Sequence, residues 1–165
     1  YDVNSIKFTR QAYQKKKYAF VIDPVRLQLL REHGGIWLDT DIEIIKNLDP
    51  LLELPAFMSF ESDTLLHTGI VGSEKGAAWT DEYWKYMNKK PFIRWNGRLN
   101  KTPSTVIISR ILKKRGVKLD NTFQIYDDSL HIFPKDYFCP KDYKTGKITI
   151  TDNTYCIHHF AGSWK

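Results

Sequence analysis

Between residues 34 and 43 the chain reads Gly34-Gly35-Ile36-Trp37-Leu38-Asp39-Thr40-Asp41-Ile42-Glu43, an apolar run ending in carboxylates at every second position. As one extended strand over 36–45, it would carry Asp39, Asp41 and Glu43 on one face at spacings of roughly 7 Å, with Leu38, Ile42 and Ile44 on the other. Three like charges in a row call for a counter-charge. A hard divalent cation, Mn²⁺ or Mg²⁺, supplies it through carboxylate oxygens, and substrate phosphates can fill its remaining positions. A calcium loop of the EF-hand type is excluded, because its sixth position needs Gly and holds Ile44 here. The plainer reading is an acidic turn facing water. Against it, the glycine pair and the apolar strand would deliver Asp39 to the C-terminal edge of a sheet, where open α/β folds bind their ligands.

Two further groups could take part. Asp23 and Arg26 are spaced i and i+3, which makes them neighbours on a helix. Asp23 followed by Pro24 also reads as a helix cap with Pro in the first turn, so a purely structural role for the pair stays open. His158 and His159 are adjacent in an apolar stretch. In a strand they point opposite ways, so one can face a metal or phosphate while the other packs. Trp95-Asn96-Gly97 offers an aromatic surface for a sugar acceptor, or an ordinary packed loop.

The elements that would position these groups follow from periodicity and punctuation. Helices are predicted from Asn4-Ser5, from Asp23-Pro24 to the stop at Gly34-Gly35, and over 77–88 and 104–115. A turn is predicted over 47–50 and a loop over 91–101. Strands are predicted over 36–45, 57–61, 68–72, 123–126, 132–134, 148–151 and 155–159. Helices alternating with strands make an α/β domain with a mixed sheet.

Composition sets outer bounds. The 165 residues, 42% hydrophobic and 27% charged, fit one folded domain with a real core. The net charge of +6 favours anionic partners, and solvated helix ends explain the lysine clusters equally well. Cys139 and Cys156 have neither CxxC nor zinc-finger spacing, which suits a reducing, cytoplasmic compartment. No apolar run approaches the roughly 20 residues of a membrane helix, although the basic surface is compatible with peripheral membrane contact.

Residues 19–27 (AFVIDPVRL), 34–41 (GGIWLDTD) and 157–164 (IHHFAGSW) together resemble the DXD-motif sugar-binding glycosyltransferases of family 32, and the likeness runs over essentially the whole chain. The resemblance implies a GT-A-like, Rossmann-type mixed sheet flanked by helices. It implies a nucleotide-sugar donor, UDP- or GDP-linked, a divalent metal, and a retaining transfer to a glycan or lipid-linked hydroxyl, as in surface polysaccharide or capsule synthesis. In the family's pattern Asp41 ligates the metal and Asp39 touches the ribose or donor sugar. Asp23 bonds donor hydroxyls, Arg26 approaches the sugar or diphosphate, and His159 or His158 adds a late metal ligand. Ser163 and Trp164 close over the leaving diphosphate, and Thr68-Gly69 and residues 73–76 fall where donor-sugar and acceptor contacts are made. Relatives open with a base-binding strand, helix and strand that do not precede Tyr1, so the chain reads as a single catalytic domain that is a fragment of a longer enzyme. No nucleic-acid partner is expected.

Two other readings compete. A haloacid-dehalogenase-type phosphohydrolase would use Asp39 as nucleophile with Asp127-Asp128 as its later acidic pair, but it leaves Asp23, Arg26 and the Ser163-Trp164 ending unused. A non-enzymatic basic module that binds anions rests on charge alone.

Overall fold

The computed structural model describes residues 1–162, so Ser163 and Trp164 lie outside the described residues. Its main sheet has five short strands in the order β1-β4-β3-β6-β5, formed by β1 (Gly35–Leu38), β3 (Ala56–Ser59), β4 (Ile70–Ser73), β5 (Gln124–Tyr126) and β6 (Leu130–Phe133). Strands β3 and β6 run parallel, and the other three pairings are antiparallel. A separate two-stranded sheet pairs β2 (Ile42–Ile44) with β7 (Cys156–His158), Ile42 opposite His158.

Alternation along the central strands sorts two cores. Met58 and Val71 face one side, where they pack with α1 (Lys7–Gln14), α2 (Tyr18–His33), α4 (Ala78–Lys89) and α5 (Ser104–Lys113) through Phe8, Leu27, Met87 and Leu112. Phe57 and Ile70 face the other side, against Leu51 of the short α3 (Asp49–Leu52), Phe138 and Cys156. Both faces of β3 and β4 are therefore buried. Among the described residues no helix is long and apolar enough to cross a membrane.

Several expectations are corrected. Helix α2 begins at Tyr18, five residues before Asp23, and leaves Pro24 inside it. Asp23 is not an N-cap. It lies on the buried side of the helix one turn before Arg26. The predicted strand over 36–45 is broken in two: after Leu38 the chain turns, Ile42 N–H bonding the Asp39 carbonyl at 3.1 Å, and re-enters as β2 in the other sheet. Asp39, Asp41 and Glu43 consequently do not share one strand face. Helix α1 starts at Lys7 without a side-chain cap, α3 occupies part of the predicted turn, and the strand over 148–151 reduces to a single bridge at Ile148.

Gly34 makes the junction between α2 and β1 feasible. Its φ is +74°, and a Cβ there would come within 2.8 Å of the Lys75 backbone nitrogen and 2.9 Å of the Ser73 carbonyl. Only glycine meets both conditions, so the helix can stop and pair its next residue with β4 at once.

Candidate active site

The parallel pair β3 and β6 and the strand β1 all end at one margin of the main sheet, and that margin collects the polar groups. The Asp39 N–H extends the β1–β4 ladder by bonding the Gly69 carbonyl at 2.7 Å, which fixes the DXD turn against the start of β4. Asp39 Oδ1 accepts from Arg26 (2.9 Å) and from the Trp37 indole N–H (2.7 Å). The Arg26 guanidinium is itself buried, 3.7 Å from Asp23 and 5.3 Å from the centre of the Trp37 ring. One cation thus sits between two carboxylates. Asp23 pays more to desolvation than it regains: burial pushes its carboxyl up to about 6, against the lowering pull of Arg26 and of the hydrogen bond with Ser104. Ser104, the first residue of α5, also shares a 2.9 Å hydroxyl contact with Thr68.

The second acidic residue is held from the other sheet. Pairing of β2 with β7 brings His158 beside Asp41, with its Nε2 3.3 Å from Asp41 Oδ1. Asp41 Oδ2 accepts from the Ala161 N–H at 2.9 Å. The other ring nitrogen of His158 lies 3.0 Å from His67 Nε2. His67 is fully buried, and burial, reinforced by His158 and Arg26, holds its pKa well below the usual imidazole value. Burial also lowers His158, more than the Asp41 and Asp39 carboxylates raise it. Both rings are therefore neutral near pH 7, the state in which imidazole ligates metals.

His159 faces away. Its Nε2 bonds Glu43 at 2.7 Å, both side chains being substantially exposed. The structure thus brings His158, and not His159, to the DXD turn, and it takes Glu43 out of the carboxylate group. Thr68 and Gly69 are at the site. Ser73 and the three residues after it are at the opposite end of β4. Asp127 and Asp128 occupy the β5–β6 turn, at the far edge of the sheet and at its other end. The acidic pair required by a dehalogenase-type phosphohydrolase is not assembled.

The donor set suits a divalent cation. Ligand atoms of Asp39, Asp41 and His158 all lie within 4.8 Å of one another, two carboxylate oxygens with one imidazole nitrogen. The surroundings look built for a ligand as well. Arg26 Nε, His67 Nδ1 and the Tyr83 hydroxyl are buried without a partner among the described residues, whereas buried polar groups are ordinarily paired. Gly69 leaves the space open: a Cβ there would come within 2.6 Å of His67 Nε2 and 3.1 Å of Asp39 Oδ2.

Residues 1–58 match the family model described as the glycosyltransferase sugar-binding region containing a DXD motif. Residues 1–58 are thus similar to the sugar-binding region of DXD-motif glycosyltransferases, and the relatives that match are described as glycosyltransferases. In the matched region the DXD is Asp39-Thr40-Asp41, and the same region also contains Asp23, Arg26 and Trp37. A glycosyltransferase of Acanthamoeba polyphaga mimivirus, described as uncharacterized, is 33% identical over 96 residues, 58% of this chain and 38% of that protein. Inositol phosphoceramide mannosyltransferase 3 of Schizosaccharomyces pombe is 39% identical over 54 residues, 33% of this chain and 15% of its own length. A mannosyl phosphorylinositol ceramide synthase of Saccharomyces cerevisiae is 39% identical over 51 residues, 31% and 14% of the two chains. The matched parts thus span well under half the length of these relatives. No solved structure matches the chain significantly.

Half of the candidate site lies beyond the matched region. His67, Ser104 and His158 come from β4's leading loop, α5 and β7. The ending containing His158 was visible in the sequence, but His67 and Ser104 carried no sequence signal, since a lone His in an apolar run and a Ser at a helix start read as ordinary core and cap.

Proposed function

We propose that the chain is the donor-binding part of a metal-dependent, GT-A-type retaining glycosyltransferase. It would move a hexose from a nucleoside-diphosphate sugar to a hydroxyl of a glycan or lipid-linked acceptor. The observation that carries the reading is the convergence of the buried Asp23–Arg26–Asp39 chain with the Asp41–His158 pair at one sheet margin. The relatives named as mannosyltransferases favour mannose as the sugar and a phosphoinositol-bearing lipid as an acceptor of the right chemistry.

Asp39, Asp41 and His158 would hold Mn²⁺ or Mg²⁺, which when bound neutralises the diphosphate as it departs. Arg26 is buried between Asp23 and Asp39. It orients Asp39, and together with the Trp37 N–H it fixes which carboxylate oxygen is left free. Asp23, shielded from water, is placed to accept hydrogen bonds from donor-sugar hydroxyls, with the Ser104 and Thr68 hydroxyls beside it. In the transfer the bond between the anomeric carbon and the phosphate oxygen breaks, the acceptor oxygen bonds that carbon from the same face, and the acceptor proton passes to the departing phosphate oxygen. The products are a glycoside of retained configuration and a nucleoside diphosphate.

A thermal-shift series with UDP-, GDP-, ADP- and CMP-sugars, with and without Mn²⁺, tests this, because a ligand that binds only the folded chain raises its melting temperature. The reading expects metal-dependent stabilisation by one nucleotide, abolished by Asp41→Asn. Stabilisation that is unchanged in the variant, or a product of inverted configuration, overturns it.

A further inference from the structure

We propose that the hairpin around Trp95 docks the protein on an anionic phospholipid surface, close to the site at the head of α5. Trp95 is 98% exposed at the tip of a tight turn, where an ordinary Trp is largely buried. The turn is closed by Gly97 N–H to the Arg94 carbonyl (2.9 Å) and Arg94 N–H to the Arg98 carbonyl (2.9 Å), above a bridge between Ile93 and Leu99.

The hairpin is rooted firmly. Phe92 is fully buried, edge-on to Phe8 at 5.3 Å and 5.4 Å from Phe20. The Ile93 N–H bonds the Gln11 side chain at 3.0 Å, and Asn100 N–H returns to the Phe92 carbonyl at 2.6 Å. The backbone that carries the indole is thus held by a fixed support, so docking does not have to order the loop itself.

Charge selects the occupant. Between Glu82 and Asp120 the chain carries eleven Lys and Arg and no Asp or Glu. Lys89, Lys90, Arg94, Arg98 and Lys101, on and beside the hairpin, are exposed, and none forms an ion pair among the described residues. An isolated indole ringed by cations is the composition that settles at the headgroup level of an anionic bilayer. A sugar-stacking Trp would be accompanied by acceptors for sugar hydroxyls, and this one has only Asn96 between cations. A single-stranded nucleic-acid channel would set several aromatic rings in succession, and the tip has one.

The position serves the proposed chemistry without depending on it. Only Thr102 and Pro103 separate Lys101 from Ser104, which contacts Asp23 and Thr68. A lipid whose headgroup lies at the bilayer surface would then be presented beside the site.

Sedimentation of the whole chain with vesicles tests the docking surface alone, with no nucleotide or metal added. Vesicles of phosphatidylcholine mixed with phosphatidylserine are expected to carry the protein down, pure phosphatidylcholine is not, and binding should disappear at high salt. Trp95→Ala should weaken partition roughly tenfold, the effect of about a third of the ring area no longer leaving water. Its melting temperature should be unchanged, since the side chain supports nothing. Arg98→Gln with Lys101→Gln should weaken partition roughly fivefold per cation. Equal binding to both vesicles, undiminished binding by Trp95→Ala, or tighter binding to single-stranded DNA than to the anionic vesicles overturns the proposal. Because these readouts involve neither metal nor donor, failure here leaves the transferase reading standing, and failure of the donor titration leaves this one standing.

Discussion

Asp23→Asn should make the protein more stable near neutral pH while impairing the proposed donor site. In the folded chain the Asp23 carboxyl is raised from 3.8 to about 6, with burial outweighing the attraction of Arg26. A raised acid pKa contributes stability that is fully present below the unfolded value and is lost as pH rises through the folded one. A shift of about two units corresponds to about 3 kcal/mol, a cost wild type meets above about pH 7 and largely escapes near pH 4. The amide keeps the shape and cannot charge, so it avoids that cost. Arg26 keeps its partner Asp39, 2.9 Å away, so the cation is not orphaned. Urea unfolding of both proteins from about pH 4 to about pH 8 should show the variant's advantage growing with pH towards that limit. The opposite trend, with wild type gaining on the variant as pH rises, would mean that the Arg26 attraction exceeds the desolvation penalty and would refute the reasoning. Loss of the nucleotide-sugar thermal shift in the more stable variant would show that the cost is retained for binding.

Three other perturbations have defined outcomes. His67→Ala removes the partner of His158 and should weaken Mn²⁺ binding about 10- to 100-fold in a calorimetric titration, the usual effect of losing the group behind a ligating His; His67→Gln should restore part of it, which loss of packing alone would not allow. Gly72→Ala would place a Cβ 2.1 Å from the Phe57 ring across the β3–β4 pair and should cost about 1–3 kcal/mol in chemical denaturation. Cys139 and Cys156 are buried with thiols raised by burial, Cys156 to about 12, so neither should react with a thiol reagent at neutral pH until the chain unfolds.

The sequence by itself determined the parts of this protein that rest on local rules. Gly34-Gly35 after a leucine-rich helix ends α2, the apolar run after it forms β1, and the stripe from Val106 to Leu112 forms α5. The DXD turn and the paired histidines are likewise legible, because their residue types have few other uses side by side. What only the tertiary structure decided is which of these groups meet. The break after Leu38 follows from competition between two sheets for one chain, β4 claiming β1 and β7 claiming β2, and no periodicity within ten residues records that contest. Pairing with β7 then chooses His158 over His159 by register, since a one-residue slip would present the other ring. Asp23 looked like a cap because Asp-Pro is a favoured helix start, yet packing against the sheet extends the helix back to Tyr18 and buries the carboxyl. His67, 91 positions from His158, could be found in no other way, since the loop before β4 and the strand β7 that carry the two rings become neighbours only when the two sheets are packed together.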